Sequence, residues 1–142
     1  MRVFVAGATG VLESRIVPNV VVDELTDLPD DESELLAHAD RNTRIRREGT
    51  RNLVDAAKSV PRFLVQSVAW DLGGDRAAAV AEMEQMVLDR GGVVLRYGQL
   101  YGPGTFYEGE PPAPPRVHID EAARRTVELL DAPSKIVTVL DR

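Results

Sequence analysis

The stretch that most constrains the fold of this chain lies at its start, Arg2-Val-Phe-Val-Ala-Gly-Ala-Thr-Gly-Val-Leu-Glu-Ser-Arg15. Residues 3–5 form a short apolar run of strand type, which leads into Gly7, and Gly10 opens a segment of helical type. A buried strand that feeds a glycine turn and a helix N-terminus is the usual cradle for a phosphate. Glycine lets the backbone approach the ligand, and the free N–H groups and the helix dipole favour its negative charge.

Gly7 and Gly10 have the spacing of the looser form of the dinucleotide-binding fingerprint. A third glycine is expected at position 13, where it would allow close packing of helix on strand, and Glu13 stands there instead. The stretch therefore predicts a nucleotide-binding turn. The alternative, a tight β–α turn that binds nothing, stays open.

Composition excludes several other classes of function. The chain has no cysteine and only two histidines, so we expect no disulfide, no thiolate chemistry and no metal site. A net charge of −6 argues against nucleic-acid binding. No apolar run is long enough to span a membrane, and nothing near Met1 resembles a signal peptide. We expect one domain over residues 1–142 and a soluble, cytoplasmic protein.

Strand and helix patterns alternate along the rest of the chain. Strands are predicted at 2–6, 20–22, 62–67, 93–97 and 136–140. Helices are predicted at 10–18, around 34–39, and at 43–58, 75–90 and 120–130, the last with Asp120 as its N-cap. This alternation predicts an α/β fold with a mostly parallel sheet of about five strands and helices on both faces.

Ligands of such sheets bind at the carboxyl ends of the strands. Gly7, Asp23, Ser67 and Gly98 each stand at or just after a predicted strand end, so we expect them along one edge. Residues 98–115 are rich in glycine and proline and are interpreted as a binding loop or lid, with a plain linker as the alternative.

Five segments in order carry a family resemblance: residues 3–10, 48–57, 62–67, 94–104 and 117–124. They include Val-Phe-Val-Ala-Gly-Ala-Thr-Gly, Glu-Gly-Thr-Arg-Asn-Leu-Val-Asp-Ala-Ala and Val-Leu-Arg-Tyr-Gly-Gln-Leu-Tyr-Gly-Pro-Gly. The chain resembles the extended short-chain dehydrogenase/reductase family, the NAD-dependent epimerase/dehydratase group. The resemblance implies a Rossmann-like domain that binds NAD or NADP and holds a nucleotide sugar or related small molecule under its C-terminal loops.

The glycine turn, the residues at strand ends and the resemblance together give a set of candidate site residues. The cofactor-binding set is Gly7, Ala8, Thr9, Gly10, Val11, Leu12, Asp23, Ser67 and Tyr97. The candidate catalytic hydroxyls are those of Ser67, Tyr97 and Tyr101. Whether the protein forms a homodimer is left open.

Two departures from the family pattern change this expectation. The first predicted helix runs almost directly into residues 20–22, where the family has two further β–α units. The catalytic Tyr-x-x-x-Lys of the family belongs at about residues 75–85, which contain neither tyrosine nor lysine. Ser67 matches the serine-rich strand end of the family, although the catalytic hydroxyl could belong at the position of Ala69.

The shortened connection also bears on strand order. If residues 20–22 lay between the first strand and the Phe63–Val65 strand, the crossover would be left-handed, which is rare. We therefore predict the rearranged order 2-1-3-4-5, which places Asp23 at the ribose-binding position.

Three functions remain open at this point. The first is a reduced epimerase/dehydratase-like protein that binds a nucleotide cofactor, weakly or in part, without standard hydride transfer. The second is an active NAD(P)-dependent enzyme with another proton donor, such as Tyr97, Tyr101 or His118. The third is a non-catalytic interaction protein on a degenerate Rossmann fold.

Overall fold

The computed structural model describes residues 1–6, 19–25 and 35–141. The nucleotide-binding segment predicted at 7–12, and the helix predicted to follow it, lie outside the described residues. The strands are β1 (Val3–Ala6), β2 (Val20–Asp23), β3 (Arg62–Val68), β4 (Val93–Tyr97), β5 (Gln99–Tyr101), β6 (Arg116–His118) and β7 (Lys135–Val139). The helices are α1 (Leu35–Arg44), a π-helical segment (Ile45–Gly49), α2 (Thr50–Ala56), α3 (Gly74–Asp89) and α4 (Ile119–Glu128).

Five of these strands form one parallel sheet in the order β1-β2-β3-β4-β7, and β5 pairs with β6 in a small second sheet. The α/β fold with a parallel sheet of about five strands is therefore confirmed. The inner strands are continuous apolar runs, and their successive side chains lie on opposite faces of the sheet, as expected where both faces are covered. On one face Val22, Leu64 and Leu95 form a cluster with α4, and on the other Phe63 and Val94 form a cluster with α2 and α3.

The predicted strand order 2-1-3-4-5 is wrong, because β2 lies between β1 and β3. All four residues of β2 are buried, as suits a strand with a neighbour on each side, whereas Val3 and Val5 of β1 are 42% and 36% exposed. The handedness argument for the other order depended on the connection at residues 7–18, which lies outside the described residues. The three-valine run of β2 suits this interior position.

Three local predictions also need correction. The two helices predicted between residues 34 and 58 are one continuous helical run from Leu35 to Ala56. The N-cap of α4 is His118, whose Nδ1 accepts a hydrogen bond from the Asp120 backbone N–H at 3.2 Å, so Asp120 is not the cap. The segment 98–115 is not wholly irregular, because it contains β5. No helix in the described part of the chain is long and apolar enough to cross a membrane.

Candidate functional site

The carboxyl edge of the parallel sheet carries the candidate residues that the sequence placed at strand ends. Asp23 ends β2, Ser67 stands one residue before the end of β3, and Gly98 follows β4. The strands are parallel, so all three lie along one edge, as expected. They do not form a single cluster, because Asp23 and Ser67 have separate partners on different helices.

Asp23 fastens the helical run to the sheet. Its carboxylate is 1% exposed and accepts hydrogen bonds from Thr50 Oγ1 at 2.7 Å and from the Leu25 backbone N–H at 3.1 Å. Burial raises the pKa of Asp23, and the two hydrogen bonds oppose that rise. Both oxygens are therefore engaged within the protein. The assignment of Asp23 to a cofactor ribose stays a prediction, and the strand order from which it came does not hold.

Ser67 belongs to a polar triad with Glu84 of α3, which is buried like Ser67, and with Arg96 of β4, whose side chain is 40% exposed. Ser67 Oγ donates to Glu84 Oε1 at 2.5 Å. Arg96 holds the same carboxylate in a fork, with Nε 2.9 Å from Oε1 and Nη2 2.6 Å from Oε2. Burial by itself would raise the pKa of Glu84, but the hydrogen bonds from Arg96 and Ser67 outweigh it and lower the pKa. Glu84 is therefore held as an anion. Its carboxylate accepts the hydrogen bond that the Ser67 hydroxyl donates, so this hydroxyl is already engaged within the protein.

Sequence reasoning missed Glu84 and Arg96. The available signal was Arg96 itself, a charged residue within the apolar run Val-Val-Leu-Arg-Tyr of a parallel strand. A cation at such a position needs a partner, because charged groups are rarely buried unpaired. The helix that covers the strand supplies it.

A cleft of about 310 Å³ opens beside this triad, between residues 68–72, α3 and Thr138 of β7. Its walls are mostly apolar, with Trp70 and Val80 among the lining residues, and Glu84 and Arg96 contribute a polar part. A cavity of this size with a few fixed polar groups can hold a small molecule. It contains no tyrosine or lysine among its lining residues, so the proton donor of the family pattern has no equivalent there.

Tyr97, a candidate for both cofactor binding and catalysis, is 5% exposed at the end of β4. Its hydroxyl forms a hydrogen bond with Thr126 Oγ1 of α4. Burial raises the pKa of Tyr97 to about 12, with the bond to Thr126 opposing and the charge of Glu24 adding to the rise. The phenol therefore stays protonated, and its position indicates that it joins α4 to the sheet.

We expect Tyr97→Phe to lower the free energy of unfolding by about 1 kcal/mol, the net contribution of one buried hydrogen bond. The loss is limited because Thr126 Oγ1 keeps its hydrogen bond to the Ala122 carbonyl at 2.7 Å. Urea unfolding followed by the fluorescence of Trp70, the single tryptophan, measures it. A variant with unchanged stability that loses NAD(P) binding would instead support the cofactor role of Tyr97.

Tyr101 belongs to a second cluster at the end of the chain. Its hydroxyl donates to Asp141 Oδ2 at 2.5 Å, and Asp141 Oδ1 accepts the His118 backbone N–H at 2.9 Å. The bond to Asp141 raises the pKa of Tyr101, and the same bond lowers the pKa of Asp141. The ring of His118 packs edge-on against Tyr101, with centroids 5.2 Å apart. Tyr101 and His118 thus join β5, β6 and the C-terminal residues, and a catalytic role for either stays a prediction.

Two carboxylates of α3 are paired with an arginine of the helical run. Arg47 binds Asp75 at 2.9 Å and Glu82 at 2.7 Å, which ties the π-helical segment to the start and the middle of α3. Both carboxylates lie on α3, the helix where the resemblance places the Tyr-x-x-x-Lys pair. Within the described ranges, no three His, Asp or Glu side chains are grouped so that they could hold a metal ion.

The chain is similar in sequence to a curated protein and similar in fold to several solved structures. No family model matches the chain. A curated relative, 3-diazoavenalumate denitrifying reductase from Streptomyces, is 39% identical over 119 residues, which cover 63% of this chain and 38% of the relative. The chain therefore spans well under two thirds of that relative.

Solved structures resemble the fold at low sequence identity. The ADP-L-glycero-D-manno-heptose-6-epimerase of Helicobacter pylori has a TM-score of 0.65 and 15% identity, over 89% of this chain and 54% of that one. The dTDP-glucose 4,6-dehydratase of Streptomyces venezuelae, solved with NAD, has a TM-score of 0.64 and 17% identity, over 86% of this chain and 52% of that one. The described architecture therefore has the Rossmann-like fold of these solved epimerase and dehydratase structures, and the chain spans about half of their length.

Proposed function

We propose that this chain is a nucleotide-binding protein of the epimerase/dehydratase type, which holds NAD or NADP through residues 7–12 and does not carry out standard hydride transfer. The observation that carries the proposal is the position of β1. Ala6, its last residue, pairs in parallel with Asp23 at the carboxyl edge of the sheet. The glycine-rich segment thus begins where open α/β sheets bind their ligands.

The same edge argues for weak binding. Among the described strands β1 has one neighbour, β2, so no described strand lies beyond it to support a second half of a dinucleotide. In the full Rossmann arrangement a dinucleotide is bound across two mononucleotide-binding halves. We therefore expect the chain to bind the pyrophosphate and one nucleoside of the dinucleotide more firmly than the second nucleoside.

The described proton donors do not support the standard hydride-transfer chemistry. Helix α3 carries neither tyrosine nor lysine, and the hydroxyls of Tyr97 and Tyr101 are bonded to Thr126 and Asp141. A general acid must reach the oxygen that it protonates. The small-molecule substrate of this site, in the first instance a nucleotide sugar, would then be bound beside the cofactor without being reduced. A homodimer and a single domain over 1–142 remain predictions.

The test is a titration with NAD and NADP by calorimetry, comparing the native chain with Gly10→Val. We expect the native chain to bind and the variant to lose affinity by about tenfold or more, because a branched side chain stands where the backbone must approach the pyrophosphate. Gly109→Val is the matched control, because a Cβ at Gly109 meets nothing within 4 Å.

The outcomes separate the three functions considered. An absence of binding at millimolar cofactor contradicts the proposal and favours a non-catalytic interaction protein. Cofactor binding that Gly10→Val abolishes, together with no oxidation of NADPH or NADH by carbonyl compounds, supports it. Measurable hydride transfer would favour an active enzyme with another proton donor.

A further inference from the structure

The cleft of about 310 Å³ beside α3 has one wall that contacts within the chain hold in place. Ala69 donates its backbone N–H to the Tyr97 carbonyl at 2.9 Å, which fastens the chain after β3 to the end of β4. Asp71 Oδ1 accepts the Gly73 backbone N–H at 2.8 Å. Trp70 stands between these two contacts, lines the cleft and is 37% exposed. This wall is therefore formed before a ligand arrives, as is usual for small-molecule sites.

A second wall is one face of α3, and two alanines leave space along it. Ala77, Val80, Ala81 and Glu84 line the cleft at intervals of three or four residues, which places them on the same side of the helix. The single-carbon side chains of Ala77 and Ala81 leave room beside the helix. The volume of the cleft is at the lower end of the range for small-molecule sites, roughly 300–1,000 Å³, so the ligand that fits is small.

The polar end of the cleft offers hydrogen-bond donors that the protein does not use. Arg96 binds Glu84 through Nε and Nη2, which occupies one edge of the planar guanidinium. Its Nη1 has no hydrogen-bond partner among the described residues, and the side chain is 40% exposed. Thr138 is the partner of Arg96 in the register of β4 and β7 and lines the same cleft. Its carbonyl accepts Arg125, whereas its hydroxyl has no partner in the described part of the chain.

The charges around the cleft decide what this free edge can bind. Three ionisable side chains line it, those of Asp71, Glu84 and Arg96. The charge of Glu84 is balanced by Arg96, and Asp71 is exposed, so solvent and salt screen its carboxylate. The free Nη1–Nη2 edge of Arg96 carries two parallel N–H groups, and this fork matches the two oxygens of a carboxylate. Asp71 then weakens the binding of such an anion without preventing it.

We propose that this cleft binds a small aromatic carboxylic acid. The carboxylate lies on the free edge of Arg96 beside the Thr138 hydroxyl, and the ring lies against Trp70 and the alanine face of α3. Stacking on Trp70 and burial of apolar surface hold the ring. The inference goes beyond the proposed function and does not depend on it, because all the residues that carry it belong to the described segment 68–138.

The experiment is a set of calorimetric titrations without cofactor, with phenylacetate, its uncharged amide phenylacetamide, and acetate. We expect the native chain to bind phenylacetate about tenfold or more tightly than either of the other two compounds. Phenylacetamide has the same ring but lacks the second oxygen and the charge that the guanidinium fork takes. Acetate has the charge but lacks the ring that the apolar walls cover.

Four variants locate the bound acid. Ala81→Leu fills the cleft and should weaken phenylacetate binding by about tenfold or more, whereas Ala78→Leu, on an exposed position of the same helix outside the cleft lining, should not change it. Asp71→Asn keeps an acceptor for the Gly73 N–H and removes a negative charge. It should tighten phenylacetate by about threefold and leave phenylacetamide unchanged. Thr138→Val removes the free hydroxyl and should weaken phenylacetate by about threefold.

Each outcome decides for or against the site. Equal affinities for phenylacetate and phenylacetamide overturn the carboxylate assignment, and undiminished phenylacetate binding in Ala81→Leu overturns the location. Arg96→Gln should abolish the preference for phenylacetate over phenylacetamide. If that variant fails to fold, Thr138→Val and Asp71→Asn leave the bonds between Arg96 and Glu84 in place, and unchanged phenylacetate affinity in both overturns the site. NAD binding without selective phenylacetate binding overturns this inference and leaves the proposed function standing. The reverse result supports the cleft and contradicts the proposed cofactor.

Discussion

Replacing Gly98 by alanine is expected to lower the free energy of unfolding by about 3 kcal/mol, the upper part of the range for overpacking. A Cβ at this position would lie 2.6 Å from the backbone nitrogen of Arg116 and 2.7 Å from its Cα. These are backbone atoms, so no side chain can turn away. Gly98 also donates its N–H to the Val139 carbonyl at 3.0 Å, which holds the end of β4 against β7.

The measurement is urea unfolding of Gly98→Ala beside Gly109→Ala. Gly109 has open space around its Cβ position, so its variant should stay within about 0.5 kcal/mol of the native chain. Equal stability of the two variants would contradict the close approach of β4 and β6 at Gly98.

Replacing Glu84 by alanine is expected to cost about 2 kcal/mol at neutral pH. The change leaves Ser67, which is 1% exposed, without its partner and removes both bonds to Arg96. The figure is below that for a fully buried pair because the Arg96 side chain is 40% exposed and can be hydrated again. Glu82→Ala, on the exposed side of the same helix, should cost about 0.5 kcal/mol or less.

The pH dependence of the Glu84 effect has a definite sign. The pKa of Glu84 is lowered in the folded protein, so the ionised carboxylate contributes stability above the ordinary glutamate pKa of 4.5. That contribution is lost as the pH falls from 4.5 through the folded pKa. The difference in unfolding free energy between the native chain and Glu84→Ala should therefore shrink below pH 4.5. A difference that stays constant from pH 7 to pH 3 would mean that packing, and not the charged triad, stabilises this region.

Much of the fold could be predicted because local sequence patterns indicate where most strands and helices form. The apolar runs at β3 and β4 and the turn residues around them are local signals, and the strands form close to where they were expected. The N-cap of α4 went to His118 and not to Asp120, because a side-chain acceptor two residues upstream was available. Cap choice depends on the geometry of the preceding strand, which the residue types alone do not specify.

The candidate site was less predictable, since its contacts join residues far apart in the chain. Ser67 was correctly placed at a strand end, but its hydroxyl is engaged by Glu84, seventeen residues away. Tyr97 was singled out as a functional phenol, and only the packing of α4 shows that Thr126 takes its hydroxyl. In the sequence Arg46 is one of several arginines within residues 41–51, and only its burial in the structure distinguishes it. Such partnerships depend on which helix covers which strand.

The sequence alone determined the class of fold and the kind of ligand to be expected. A strand leading into Ala-Gly-Ala-Thr-Gly, followed by alternating helix and strand patterns, is enough to predict a parallel α/β sheet and to suggest a nucleotide site at its carboxyl edge. The missing Tyr-x-x-x-Lys pair was also visible there. The tertiary structure decided the place of β2 between β1 and β3, and the partners of Asp23, Ser67 and Tyr97. Strand order and polar pairing are settled by burial and by contacts between distant segments, and those are properties of the packed chain.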